Sequence, residues 1–106
     1  MVLNKLVRDK IPEIIEKQGE KAITRILEDD EYILHLEKKL DEEVAEYHES
    51  KEIEELADIL EVVFALSEAQ GCSKDMLLSV YKTKNEKRGG FANRILLISK
   101  QETEPR

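Results

Sequence analysis

Apolar residues recur at three- and four-residue steps along most of this chain, the period that places side chains on one face of an α-helix. Ile33, Leu36, Leu40, Val44 and Tyr47 form one such stripe, predicting a helix from Asp29 or Asp30 to about Glu49. A third helix is predicted from roughly Lys51 to Gln70, with Ser50 as its cap and Gly71 as its stop. It carries two stripes: Ile53, Leu56, Leu60 and Phe64 on one side, and Ile59, Val62, Val63, Leu66 and Ala69 on the other. A helix apolar nearly all round needs cover on more than one side, which predicts an oligomer, most simply a dimer. The first helix is expected to begin with Asp9 as N-cap, to tolerate Pro12 in its first turn and to stop at Gly19. The fourth runs from a Ser73 cap through Met76, Leu77, Val80 and Tyr81 to about Lys87, where Gly89 and Gly90 break it.

Two segments carry no helical period. Ala22–Glu28 reads as a short strand or an irregular link, and Arg94–Ser99 is β-prone; pairing the two would make a small two-stranded ribbon. The fold class expected is therefore all-α, a four-helix-type bundle with a possible ribbon beside it. The chain reads as one domain over 1–106, with about 101–106 as a flexible tail.

One apolar row breaks its own rule. Followed towards the N-terminus, Ala69, Leu66 and Val62 continue into Asp58 and Glu55, where core-facing residues belong. On the preceding helix Glu43 and Glu46 stand symmetrically about the turn near Ser50 and Lys51. An antiparallel hairpin puts Glu46 level with Glu55, and Glu43 level with Asp58. Partial burial of ionised carboxylates is costly unless something compensates them, and a bound cation does so economically. A cluster made only of carboxylates favours Mg²⁺ or Mn²⁺. Zinc and iron call for Cys or His at ligand spacing. Cys72 stands alone in a Gly-Cys-Ser turn, and His35 and His48 follow Tyr32 and Ala45 at three residues rather than an acid. Glu42, beside the cluster, reads as a surface acid or an outer support.

Charge sharpens the picture. The 24 acids against 17 bases leave −7, the wrong sign for a nucleic-acid polymer as partner. Five bases nevertheless gather between Lys82 and Arg94, with Glu86 as the one acid among them. A carboxylate cluster plus a separate basic segment suits a ligand that has both metal-binding and bare phosphate oxygens. No apolar run is long enough for a membrane, and the single cysteine fits a reducing, cytoplasmic setting. Tyr47 and Tyr81 are candidates for stacking on a base, with core packing as the plainer fate.

These blocks resemble a known family. Glu42-Glu43-Val44-Ala45-Glu46 followed by Glu55-Leu56-Ala57-Asp58 looks like the paired acidic motifs of the MazG-like all-α nucleoside triphosphate pyrophosphohydrolases. The opening Lys5-Leu6-Val7-Arg8-Asp9-Lys10-Ile11-Pro12 and the run Lys84-Asn85-Glu86-Lys87-Arg88-Gly89-Gly90-Phe91 are similar to its phosphoribosyl-ATP pyrophosphohydrolase-like branch. The resemblance implies Mg²⁺-dependent cleavage of a nucleoside triphosphate between its α- and β-phosphates, for clearing unwanted nucleotides. It implies Glu43, Glu46, Glu55 and Asp58 as the metal ligands and catalytic acids. Lys82, Lys84, Asn85 and Arg88 would meet the phosphates, with Arg8 and Lys10 lining the site or anchoring the N-terminus. It also implies a homodimer or homotetramer. Phosphoribosyl-ATP itself is the alternative substrate, and a non-catalytic helical interaction module with a solvated acidic patch is the alternative of another class.

Overall fold

The computed structural model describes residues 3–103 and contains four helices: α1 (Ile11–Lys17), α2 (Asp29–Ser50), α3 (Ile53–Ala69) and α4 (Lys74–Arg88). The chain is all-α, and among the described residues there is no strand. The expected ribbon therefore does not form: the 22–28 and 94–99 segments are both irregular, and Ile23, Ile26 and the 95–98 run are exposed. Strand propensity alone could not pair them, because a two-stranded ribbon is marginal without a surface to pack on. Residues 104–106 of the expected tail lie outside the described residues.

The fold is organised around the α2–α3 hairpin. Two residues, Lys51 and Glu52, join the helices, and Lys51 takes the left-handed conformation (φ 59°) that ends α2. Ser50 was expected to cap α3; it is instead the last residue of α2, and Glu52 occupies the N-cap position. The Ser50 hydroxyl still serves the turn, accepting a hydrogen bond from the Glu52 N–H at 3.2 Å. Similarly, α1 starts at a Lys10 N-cap rather than Asp9, one residue later than expected, since Pro12 needs only a place in the first turn. Ser73 caps α4 as expected, accepting from the Met76 N–H at 3.2 Å.

The predicted α2 stripe is the buried one. Leu36 is 3% exposed, and Ile33, Leu40, Val44 and Tyr47 are half-buried. From α3 the stripe around Val62 meets it, whereas Ile53, Leu56 and Leu60 remain exposed on the opposite side. Helix α4 packs on α3 and has no close backbone approach to α2. The junction between them is tied by Ser67, whose hydroxyl donates to the Cys72 carbonyl oxygen at 2.7 Å, and by Lys74, whose ammonium lies 4.5 Å from the Phe64 ring centroid. No helix among the described residues is long and apolar enough to cross a membrane.

At the far end of the hairpin Arg25 grips Glu31 with both guanidinium nitrogens, at 3.0 and 2.7 Å. This pairing is the main cause that pulls the Glu31 carboxyl down to about 2 from its ordinary 4.5. A carboxylate with a depressed folded value stabilises the fold above its unfolded value and loses that contribution as pH falls through the folded one. Thermal unfolding followed from pH 5 to about 2 should therefore show a loss of stability with a Glu31 component. The Glu31→Gln variant should lose less over the same range. In the core, Leu36→Ala should cost about 2–3 kcal/mol, read from denaturant midpoints, because it leaves a cavity in the one well-buried seam.

Candidate metal and phosphate site

The α2–α3 turn holds the acids together. Because both helices leave the turn within two residues, their first facing turns cannot separate, and the carboxylates at 43, 46, 55 and 58 fall on the closing faces. Carboxylate oxygens of Glu43, Glu55 and Asp58 lie within 4.8 Å of one another, and the same holds for Glu42, Glu43 and Glu46. Glu43 belongs to both groups and is the centre of the cluster. The structure thus brings together all four acids singled out in the sequence, with Glu42 added.

Glu43 is also the anomaly of the interior. It is only 6% exposed, and its Oε2 is fully buried with no hydrogen-bond partner among the described residues. Its other oxygen has Lys39 Nζ at 3.5 Å, too long for a strong bond. Burial pushes the Glu43 carboxyl above its usual range, and the charge of Glu46 pushes it further. Glu55 is raised in the same way, by desolvation first, then by Glu46 and Asp58, while Ser50 opposes the shift through a 3.5 Å hydrogen bond. A buried carboxylate with one orphaned oxygen, clustered with other carboxylates and with no imidazole or thiolate in the cluster, fits a hard divalent cation such as Mg²⁺ or Mn²⁺.

Three bases already lean on the cluster. The Arg8 guanidinium donates to Asp58 Oδ1 at 2.7 Å, Lys5 Nζ sits 3.0 Å from Glu42, and Lys39 Nζ sits 3.4 Å from the same carboxylate. Lys5 holds the Glu42 carboxyl below its ordinary value, so Glu42 stays charged and is satisfied by cations of the protein itself. The N-terminal segment before α1 therefore crosses the mouth of the hairpin and supplies two positive charges there. Arg8 is brought to the site as expected. Lys10 is not, since it is the α1 N-cap and joins no ion pair among the described residues. Sequence reasoning missed Lys5 and Lys39. Lys39 was legible, lying three residues before Glu42 and four before Glu43; for Lys5 the only signal was its membership of the opening motif.

The basic block does not reach the acids within one chain. Lys82, Lys84, Asn85 and Arg88 are all exposed on α4, which approaches α3 alone, and none is paired with the cluster among the described residues. Lys84 and Arg88 line a shallow groove with Ser79, Val80, Thr83 and Lys87, entirely on α4. Tyr47 packs half-buried beside the turn with Lys51 Nζ 5.4 Å from its ring, while Tyr81 is exposed.

No protein-family model matches the chain, and no solved structure matches it. A sequence relative is an uncharacterized protein of Mycolicibacterium smegmatis, 58% identical over 41 residues, which are 39% of this chain and 42% of that protein. The match thus spans less than half of the relative's length.

Replacing Glu43 by Gln removes a desolvated charge and leaves the shape. In buffer free of divalent cations this variant should unfold about 1 kcal/mol higher than the parent, equivalent to several degrees in midpoint. Added Mg²⁺ or Mn²⁺ should raise the parent's midpoint and not the variant's. A parent that shows neither a thermal shift nor binding heat with either ion would exclude the metal assignment.

Proposed function

We propose that this chain is a Mg²⁺-dependent nucleoside triphosphate pyrophosphohydrolase, releasing a nucleoside monophosphate and pyrophosphate. The observation that carries the reading is the buried, unpartnered Oε2 of Glu43 inside a four-acid cluster. A fold that holds like charges together at the expense of its own stability is spending that stability on a ligand, and the donor set selects a hard divalent cation. The order of the acidic motifs, the opening motif and the basic run supports a triphosphate as the rest of the ligand.

In this reading Glu43, Glu46, Glu55 and Asp58 hold the cation. When bound, it neutralises phosphate charge and lowers the pKa of water for attack. The protein's own residues do the rest. A carboxylate that does not itself hold the cation orients the attacking water and accepts its proton, a place for which Glu42, beside the cluster, is the candidate. Water adds to the α-phosphorus, the bond to the bridging oxygen breaks, and pyrophosphate leaves with that electron pair. Arg8, paired with Asp58 in the free protein, turns to a phosphate oxygen and stabilises the charge that develops there. Lys82, Lys84, Asn85 and Arg88 bind the leaving phosphates from α4 of a second copy, in a homodimer or a homotetramer built from it.

A panel of nucleoside triphosphates, with phosphoribosyl-ATP included, tests this by pyrophosphate release with and without Mg²⁺. Release that depends on the metal, and falls by at least about 10³-fold in Glu55→Ala and in Asp58→Ala with the helical spectrum retained, is the expected result. Turnover at the parent rate in either variant would sink the ligand assignment. Hydrolysis of phosphoribosyl-ATP alone would move the substrate to that compound. Metal binding without any hydrolysis would leave a binding module.

A further inference from the structure

A folded chain of 12.3 kDa ordinarily exposes about 6,100 Å². This one exposes 10150 Å². Its radius of gyration is 19.5 Å, where a compact chain of this length has about 13 Å, and it is 73 Å long. The surplus surface, roughly 4,000 Å², is several times the ~800 Å² per partner that a stable protein interface buries. It is also concentrated. After Gly89 the chain leaves α4 as an irregular arm in which Phe91, Ile95, Leu96, Leu97 and Ile98 are each at least 77% exposed. An exposed apolar run of that density on an ordinary monomer is rare.

The complement lies on the same molecule. Ile53, Leu56 and Leu60, one face of α3, are exposed with no element packed on them. Charge follows the same division. Between residues 29 and 70 there are fifteen acids and three lysines, whereas between 74 and 100 there are seven bases and two acids. From Lys87 to Lys100 there is no acid at all. The arm's apolar run is bracketed by Arg94 and Lys100, and the α3 face is bracketed by Glu52, Glu54 and Glu61. In the observed arrangement the arm's apolar side chains are not covered by the chain's own hairpin, since each is at least 77% exposed.

We propose that the 91–100 arm docks on the exposed Ile53, Leu56 and Leu60 face of α3 in a second copy of this chain, and that the exchange is mutual. An arm-for-face exchange is self-complementary, so two copies close on themselves without leaving an edge for further growth. The Ile95–Ile98 run turns alternate side chains to opposite sides when extended, so α3 covers one side and the exposed Met76 and Val80 of α4 are available for the other. The proposal shares with the proposed function only the premise of a homo-oligomer, and it is read by mass rather than by activity.

The test is light scattering coupled to size exclusion on the full chain, with two variants. One carries Leu96→Gln and Leu97→Gln in the arm, the other Leu56→Gln and Leu60→Gln on the face; all four side chains are exposed, so helical content should be retained. The parent should run at twice 12.3 kDa and each variant alone at 12.3 kDa. Mixing the two variants should restore a dimer, because one intact arm then meets one intact face. A monomeric parent would overturn the proposal. So would an arm variant that remains dimeric, a mixture that stays monomeric while the parent is a dimer, or a face variant that remains dimeric, the last of which would mean that arms pair with arms.

Discussion

The α2–α3 turn brings four carboxylates to within reach of one another, and most of what distinguishes this protein follows from that crowding. Ionised carboxylates whose oxygens lie within 4.8 Å of one another repel, the more so where they are shielded from water. Glu43 adds a desolvation cost, since one of its oxygens is sealed from water without a partner. Hydrophobic contact must offset both, and the single seam centred on Leu36 and Val62 is what the hairpin has to do it with. The protein mitigates the strain with its own cations: Lys39 from the preceding helical turn, and Lys5 and Arg8 from the segment before α1. None of these reaches the buried Oε2 of Glu43, which is why the compensation is incomplete and why a small external cation suits the place.

The same economy explains the rest of the architecture. A hairpin of two helices can bury one stripe from each, and α3 has two. Its second stripe stays open, α4 is moored at its base by Ser67 and Lys74, and the arm beyond Gly89 carries apolar side chains into solvent. Acidic hairpin and basic C-terminal third sit apart on one molecule. Their attraction is unused within a single chain and would be available between two. A phosphate ligand would be subject to the same division, with its cation held at the hairpin and its bare oxygens met by the bases of α4.

How far the residues alone were informative differs from element to element. The period of Ile33, Leu36, Leu40, Val44 and Tyr47 located the buried face of α2, because a 3.6-residue repeat has one geometric meaning. The symmetry of Glu43 and Glu46 with Glu55 and Asp58 located the cluster, because a two-residue turn leaves the hairpin little freedom of register. Capping was less legible. Ser50 is a good cap by chemistry, yet Lys51 can adopt the left-handed conformation and close α2 one residue later, so the hydroxyl serves the turn from inside α2. The ribbon expected between the 22–28 and 94–99 segments fails for a related reason: β-propensity describes a residue's fit to a half-buried sheet, and no surface is there to bury it.

Local spacing, then, determined the helices, their order, the buried face of α2 and the convergence of the acids at one turn. These are consequences of periodicity over a few residues and need no long-range information. Only the tertiary structure decided that Glu43 is the buried member, that Arg8 and Lys5 return across the hairpin to Asp58 and Glu42, and that the bases of α4 stay away from the acids. Those depend on how segments fifty residues apart pack, where the energy differences are a few contacts and no repeat in the chain records them.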